Sequence, residues 1–349
     1  MKAAPVIRAL AALGHDQRIV HTGQHYDERM SEVFFVQLGL PRPDVNLGAG
    51  SGSHARQTAE VLTGMEREFT ENSPALAVVY GDVNSTLGAA LAGAKLGVPL
   101  AHVEAGLRSF DDSMPEEINR RLTDQLCALL FVTSPEAIGH LAREGRPADA
   151  VHLVGNPMID TLLAHLDRFD VTAARAAAGL PDRYVVATLH RPANVDDLPW
   201  LREMLATLSD LSQDLQVIFP VHPRTRQRLS DLGATQSSSV RLLDPLPYLE
   251  FLALQDRAAV VITDSGGIQE ETTFLGVPCL TVRDNTERPI TITHGTNQLV
   301  GRNLQRLQEA AGEILSRKTR RETAPSVPLW DGHTAERIAR VIAPRPNSA

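Results

Sequence analysis

Ten short apolar runs, set far enough apart to leave room for helices between them, constrain the fold of this chain more than any other feature. In the first half they cover residues 18–22, 76–80, 100–103, 129–133 and 151–154; in the second, 184–189, 217–220, 240–243, 260–263 and 279–282. Alternation of this kind is the pattern of βαβ units, whose strands pair in parallel and are covered on both faces. At 349 residues the chain exceeds one ordinary core, since single cores stop growing beyond about 250–300 residues. Two parallel sheets in two domains are therefore expected. The helical segment that begins near Asp160 loses its apolar periodicity through FDVTAARAAAGLPDR, the expected interdomain connection. The spacing predicts domains over 1–165 and 166–333 and a terminal segment, 334–349, whose helix near 334–342 crosses back to the first domain.

Charge and composition narrow the partners. The net charge is −8 and no basic run rises above helix-face spacing, which argues against nucleic acid or an anionic membrane. No apolar stretch approaches the ~20 residues of a membrane span. At the amino terminus Pro5, Ile7, Leu10 and Leu13 fit one face of an amphipathic helix, and Arg8 interrupts any signal-peptide core. Cys127 and Cys279 stand far apart in apolar segments without paired-ligand spacing, which points to a reducing compartment and a cytoplasmic protein. None of the 12 histidines falls in HxH or HExxH spacing, so no metal site is expected. Neither G-x-G-x-x-G nor G-x-x-x-x-G-K-S/T occurs, so no dinucleotide or ATP cofactor is expected.

In AAVVITDSGGIQEET an apolar strand runs into Asp264-Ser265-Gly266-Gly267 and then a helix carrying Gln269, Glu270 and Glu271. The carboxyl end of a parallel strand is where open α/β sheets bind ligands. Two glycines let an anion approach the backbone, and the first free amides of the helix point at it. Acidic residues one turn later suit a ribose diol, so the segment fits a nucleoside diphosphate. It equally fits an ordinary helix start in which Ser265 caps and Glu270 and Glu271 complement the macrodipole.

Three acidic residues of the first half stand at or just beyond strand ends: Asp82 after AVVYG, Glu104 in HVEAGLRS, and Glu116 in MPEEINRR. Asp82 has a simpler reading as the cap of a helix that begins near Ser85. Glu116 and Glu117 face Arg120 and Arg121 at i,i+4, an ordinary exposed ion-pair pattern. Glu104 is the stronger candidate, because an ionisable group that ends an apolar strand needs a partner or a function. In the second half His190 and Arg191 end YVVATL, and His222 with Arg224 end VIFPV. A histidine so placed neutralises a phosphate, shuttles a proton, or is a satisfied structural residue.

In order, TGQHYDERM, VVYGDVNSTL, HVEAGLRS, MPEEINRRLTD, VGNPMIDTL, TLHRPANVDD, VHPRTR, TDSGGIQEET and TERP with GTNQLVG resemble the non-hydrolysing UDP-N-acetylglucosamine 2-epimerase family, down to WDGHTAERI near the carboxyl end. The resemblance implies an α/β fold of two Rossmann-like domains whose parallel sheets face across a cleft, the GT-B arrangement of nucleotide-sugar glycosyltransferases. It implies interconversion of UDP-GlcNAc and UDP-ManNAc by a homodimer, without a redox cofactor, supplying ManNAc for cell-surface polysaccharide. Residue by residue, it implies that Ser265, Gly266 and Gly267 hold the diphosphate and Glu271 the ribose. Asp82, Glu104 and Glu116 match the catalytic acidic positions, and His190 the histidine near the departing phosphate. Lys2, Arg120, Arg191 and Arg288 match further substrate-binding positions. The residue types suit the reaction: UDP must leave before the weakly acidic C2 proton, so carboxylates belong on the sugar side and cations or amides on the phosphate side.

Two departures from the family pattern stand out. The family carries a strand and a Gly-Thr-Arg-Pro-Glu loop ahead of the stretch matched by Met1-Lys2-Ala3-Ala4-Pro5; a lost central strand would leave two neighbours unpaired, so an upstream start is expected. Ala193 follows HRP where many members carry Glu. The competing activities are a hydrolysing epimerase that releases ManNAc and UDP, a glycosyltransferase, and a non-catalytic UDP-sugar binder if the truncation is real.

Overall fold

Every strand pair among the described residues is parallel, and the pairs fall into three sheets. The computed structural model describes residues 1–23, 35–168, 172–173, 176, 179–211, 215–233, 240–317 and 326–343, without the side chains of 223 and 224. TGQHYDERM after Gly23, seven of the fifteen residues of FDVTAARAAAGLPDR and the Arg224 side chain lie outside these residues. The chain forms two compact units, Met1–Leu163 with Pro328–Ala349, and Ala164–Val327.

The first unit holds β1 (Val20–His21) and β2 (Val45–Asn46) as a sheet of their own, and β3 (Ala77–Tyr80), β4 (Leu100–Ala105), β5 (Leu129–Val132) and β6 (Val151–Leu153) as a four-stranded sheet in that order. Strand side chains alternate between faces. Leu130 and Val132 of β5 enter one core with Val61, Met65 and Phe69, whereas Phe131 enters the other with Val6, Leu10 and Ile338. That second core joins the helices Ala3–Ala12 and Thr334–Ile342. Asp160 fixes the latter, accepting from the amides of Thr334 at 3.2 Å and Ala335 at 2.7 Å. Gly155 takes φ +95, and a Cβ there would lie 2.8 Å from Thr334 Oγ1, so the VGN turn requires glycine.

The second unit holds β7 (Tyr184–Thr188), β8 (Gln216–Pro220), β9 (Val240–Leu243), β10 (Val260–Thr263), β11 (Cys279–Thr281) and β12 (Asn297–Leu299) in the order β12-β11-β10-β7-β8-β9. The first strand of this unit, β7, therefore lies beside the fourth, β10, with Val185 opposite Val260. This is the switch point at which doubly wound sheets bind their ligands. Val185, Val217, Val260 and Ile262 are fully buried against helical residues such as Leu208 and Ala311.

The structure corrects the sequence reading at three places. The amino-terminal helix buries Ala4, Pro5, Val6 and Leu10, whereas Leu13 lies past its end and is 52% exposed. β12 falls outside the expected strand runs, because Asn297 is a polar strand residue whose Nδ2 donates to Gln269 Oε1 and Thr291 Oγ1, each at 3.0 Å. β2 was not expected, its two residues being too few to leave a periodic signal.

Candidate functional site

In the first unit the site is built on the end of β4. Val103 pairs with Phe131 and Ala105 with Val132, so Glu104 is an extra residue between two ladder positions. Its φ is +77, a left-handed conformation that costs a residue with a Cβ about 1–2 kcal/mol and clusters at functional sites. The buried Glu104 carboxylate forms an ion pair with Lys2. Both lie against Gly81, where a Cβ would come within 3.2 Å of Lys2 Nζ and 3.4 Å of Glu104 Oε2.

Asp82 follows Gly81. Instead of capping the next helix, which Val83 precedes without a side-chain cap, its carboxylate pairs with the buried guanidinium of Arg120. Arg120 also donates to Glu117 Oε2 at 2.7 Å, and Glu117 accepts from the Ser109 amide at 2.9 Å. Burial opposes the Glu117 charge, but the Ser109 amide and Arg120 outweigh it and hold the carboxyl below its usual range. The expected exposed i,i+4 pairs are absent. Glu117 meets Arg120 at i,i+3 in the interior, and Arg121 reaches Asp112 at 2.9 Å. Glu116 is half-buried in the first turn of the helix Pro115–Leu126.

In the second unit the site follows β10. Asp264 is fully buried and accepts from the amides of His190 at 3.1 Å and Arg191 at 3.0 Å and from Asn194 Nδ2 at 3.1 Å. Its other oxygen lies 2.8 Å from His190 Nδ1, which orients a ring that is 47% exposed. Burial opposes the Asp264 charge; His190, the Arg191 amide and Asn194 together hold its carboxyl below the usual range. Arg191 Nε donates to the Asp264 carbonyl at 3.0 Å. These bonds lock the strand ends of β7 and β10 together at the switch point.

Ser265 makes no side-chain cap to the helix Gly266–Leu275, and the first turn holds no acidic residue. The ordinary helix-start reading therefore fails on both counts. Ser265, Gly266 and Gly267 are only half-buried, which leaves the amide end of the helix accessible to an anion. A Cβ at Gly266 would lie 2.6 Å from Glu287 Oε1 and 2.9 Å from Arg288 Cζ. Arg288 is buried, paired with Glu287 and 3.0 Å from Glu270 Oε1. Glu271 is buried too; Gln255 Nε2 donates to it at 2.9 Å, and burial pushes its carboxyl up to about 7. Of the expected residues, Lys2, Asp82, Glu104 and Arg120 gather in the first unit, with Glu116 on the Arg120 helix. His190, Arg191, Ser265, Gly266 and Gly267 gather in the second, with Arg288 beside Gly266. Among the described residues no cluster of three His, Cys, Asp or Glu side chains is set to hold a metal, and no helix is long and apolar enough to cross a membrane.

Sequence reasoning missed Asp264, Asn194 and Glu117 as organising residues. Asp264 ends the apolar strand Val260–Thr263 as Glu104 ends its own, and that position is the signal that marks it.

The family profile for UDP-N-acetylglucosamine 2-epimerase matches residues 8–343. The chain belongs to that epimerase family. The UDP-N-acetylglucosamine 2-epimerase of Methanocaldococcus jannaschii is 40% identical over 98% of this chain and 95% of its own length. Its crystal structure in complex with UDP-GlcNAc and UDP superposes with a TM-score of 0.90. The UDP-2,3-diacetamido-2,3-dideoxy-D-glucuronate 2-epimerase of Pseudomonas aeruginosa is 42% identical over 93% of this chain and 90% of its own. The glycosyltransferase SnogD from Streptomyces nogalater, 16% identical over 97% of this chain and 94% of that chain with a TM-score of 0.52, shares the fold alone. Parallel sheets and these neighbours make this epimerase-family chain GT-B-like.

Proposed function

We propose that this chain interconverts UDP-GlcNAc and UDP-ManNAc without hydrolysis. The observation that carries the proposal is the Glu104 carboxylate held on a strained bulge beside Lys2 and against Gly81, the residue that precedes Asp82, in a chain whose second unit offers an open helix end at its switch point. The C2 proton of the sugar is not adjacent to a carbonyl and is barely acidic, so departure of UDP leads. The C1–O bond breaks with its electrons going to UDP, positive charge develops at C1, and a carboxylate then removes the proton from C2 to leave a glycal. Return of a proton to the opposite face of C2 and of UDP to C1 completes the epimerisation. Asp82, Glu104 and Glu116 serve the sugar by stabilising charge and exchanging the proton. Ser265, Gly266, Gly267, Arg191 and Arg288 hold the diphosphate, His190 faces the departing phosphate, and Glu271 binds the ribose. The enzyme works in the cytoplasm as a homodimer and supplies ManNAc for polysaccharide.

The identity to the Pseudomonas aeruginosa enzyme supports a second substrate, a UDP-diacetamido-glucuronate, for the same chemistry. Incubation of each UDP-sugar with the protein in D2O, followed by proton NMR, tests both. Deuterium at C2 together with the second epimer, still attached to UDP, is expected. Free ManNAc with no UDP-ManNAc would instead indicate the hydrolysing reaction, and no change in either sugar would refute catalysis.

A further inference from the structure

β4 carries a second buried titratable residue, His102, two positions before Glu104. Its Nδ1 lies 2.7 Å from Asp124 Oδ1, and its Nε2 lies 2.8 Å from the carbonyl oxygen of Gly81. A carbonyl only accepts, so Nε2 carries a proton and donates. Asp124 is equally buried and accepts from the Gly106 amide at 3.1 Å and from Arg108 Nη2 at 2.7 Å. Arg108 also reaches Glu144, through Nε at 2.8 Å and Nη2 at 2.6 Å. Burial works against the Asp124 charge, but His102 and Arg108 outweigh it and hold the carboxyl below its usual range.

Stability is a weak account of this network, because apolar groups in place of buried ion pairs are often neutral or better. Its bonds converge on the backbone that carries the two carboxylates. The Gly81 amide donates to the Val103 carbonyl at 3.1 Å, while the Gly81 carbonyl takes His102 Nε2. The residue that introduces Asp82 is thus held at both its polar groups. On the other side of Glu104, the Gly106 amide is held by Asp124. Between these anchors Glu104 keeps its left-handed φ, a conformation that persists only where the surroundings over-determine it.

We propose that His102, oriented by Asp124, is a positioning residue: its two hydrogen bonds tie the strand end that carries Asp82 to the bulge that carries Glu104 and aim both carboxylates. The proposal rests on the reading of those carboxylates as acting on the sugar. His102→Phe keeps a ring of similar volume without a polar atom, and His102→Gln keeps a side-chain amide donor for the Gly81 carbonyl. In the full chain, His102→Phe is expected to lower kcat for UDP-GlcNAc by about 10–100-fold, the scale of lost outer-shell partners, with KM and calorimetric UDP affinity unchanged. His102→Gln recovers part of that loss. In the amide spectrum of 15N-labelled protein, resonances of residues 81–83 and 104–106 move in His102→Phe.

Parental kcat in His102→Phe, equal loss in both variants, or a parallel fall in kcat and UDP affinity overturns the proposal. If His102→Phe does not fold, Asp124→Asn, which keeps one accepting oxygen, is expected to give the same split between kcat and KM, and a parental kcat there overturns the proposal as well. The wild-type protein separates the two readings. Its failure to epimerise UDP-GlcNAc would remove the proposed function, and the amide resonances would then decide positioning by moving or staying.

Discussion

Asp264→Ala removes the carboxylate that joins the ends of β7 and β10. The side chain is fully buried and accepts from two backbone amides and from Asn194, within 3.0–3.1 Å. Alanine leaves those donors without their acceptor, and each unsatisfied buried donor costs about 1–3 kcal/mol. Water entering beside the half-exposed His190 ring returns part of this, so the net loss is about 3–5 kcal/mol, the range for breaking a buried charge pair. In a unit of this size each kcal/mol moves Tm by about 2–4 °C, which gives a fall of about 6–20 °C. Calorimetry at pH 7 measures it, with Asp244→Asn as the control, since that carboxylate is 89% exposed in its pair with Arg226 and exposed pairs contribute little. The pH dependence adds a second check. The Asp264 carboxyl is depressed in the folded state, so its contribution is present above the unfolded value, about 4, and is lost as pH falls through the folded value. Parent and variant therefore converge in acid. A Tm within 2 °C of the parent at pH 7 (about 1 kcal/mol or less), or a gap that does not narrow on acidification, refutes the reasoning.

Glu271→Gln acts in the opposite sense: burial raises the carboxyl from 4.5 to about 7, so the parent loses stability as pH rises through that window and the variant does not. The variant is expected to melt higher than the parent at pH 8 and close to it at pH 4, with weaker UDP binding; a pH-independent difference would count against this. Glu104→Gln should lower turnover by about 10²-fold or more, the scale of a lost general acid or base, with calorimetric UDP affinity unchanged; parental turnover would remove Glu104 from the mechanism. Gly266→Ala presses a methyl group against Arg288 and Glu287 and should weaken UDP binding in calorimetry while KM rises; parental affinity would show that the helix end holds no phosphate. Dialysis against EDTA should leave turnover intact, and a loss restored by a divalent cation would reveal a metal requirement.

The strands of the second unit were legible because doubly buried parallel strands are continuous apolar runs, as in Val260–Thr263. β12 was not, because Asn297 and Gln298 are polar and the side-chain bonds that hold Asn297 in place leave no local pattern. Asp82, Glu104 and His190 stood out by position at strand ends. Their partners did not: Asp264 pairs with His190 across 74 residues and Arg120 with Asp82 across 38, separations over which spacing carries no signal. Glu117 was misread for a different reason, since i,i+4 spacing on a helix says nothing of whether that face meets water or the core. The amino-terminal helix was recognised by periodicity, but its end was not, and Leu13 was counted on a face that stops at Ala12.

The bulge at Glu104 sets durability and activity against each other at a single codon. Glycine adopts a left-handed backbone without the steric penalty a Cβ incurs. Relief of the left-handed backbone favours Glu104→Gly and loss of the ion pair with Lys2 opposes it, and on the proposed mechanism every chain that carries the substitution is inert. Position 104 is the one to freeze when this chain is evolved for stability, because it is where general rules of stabilisation recommend a change and the chemistry forbids it.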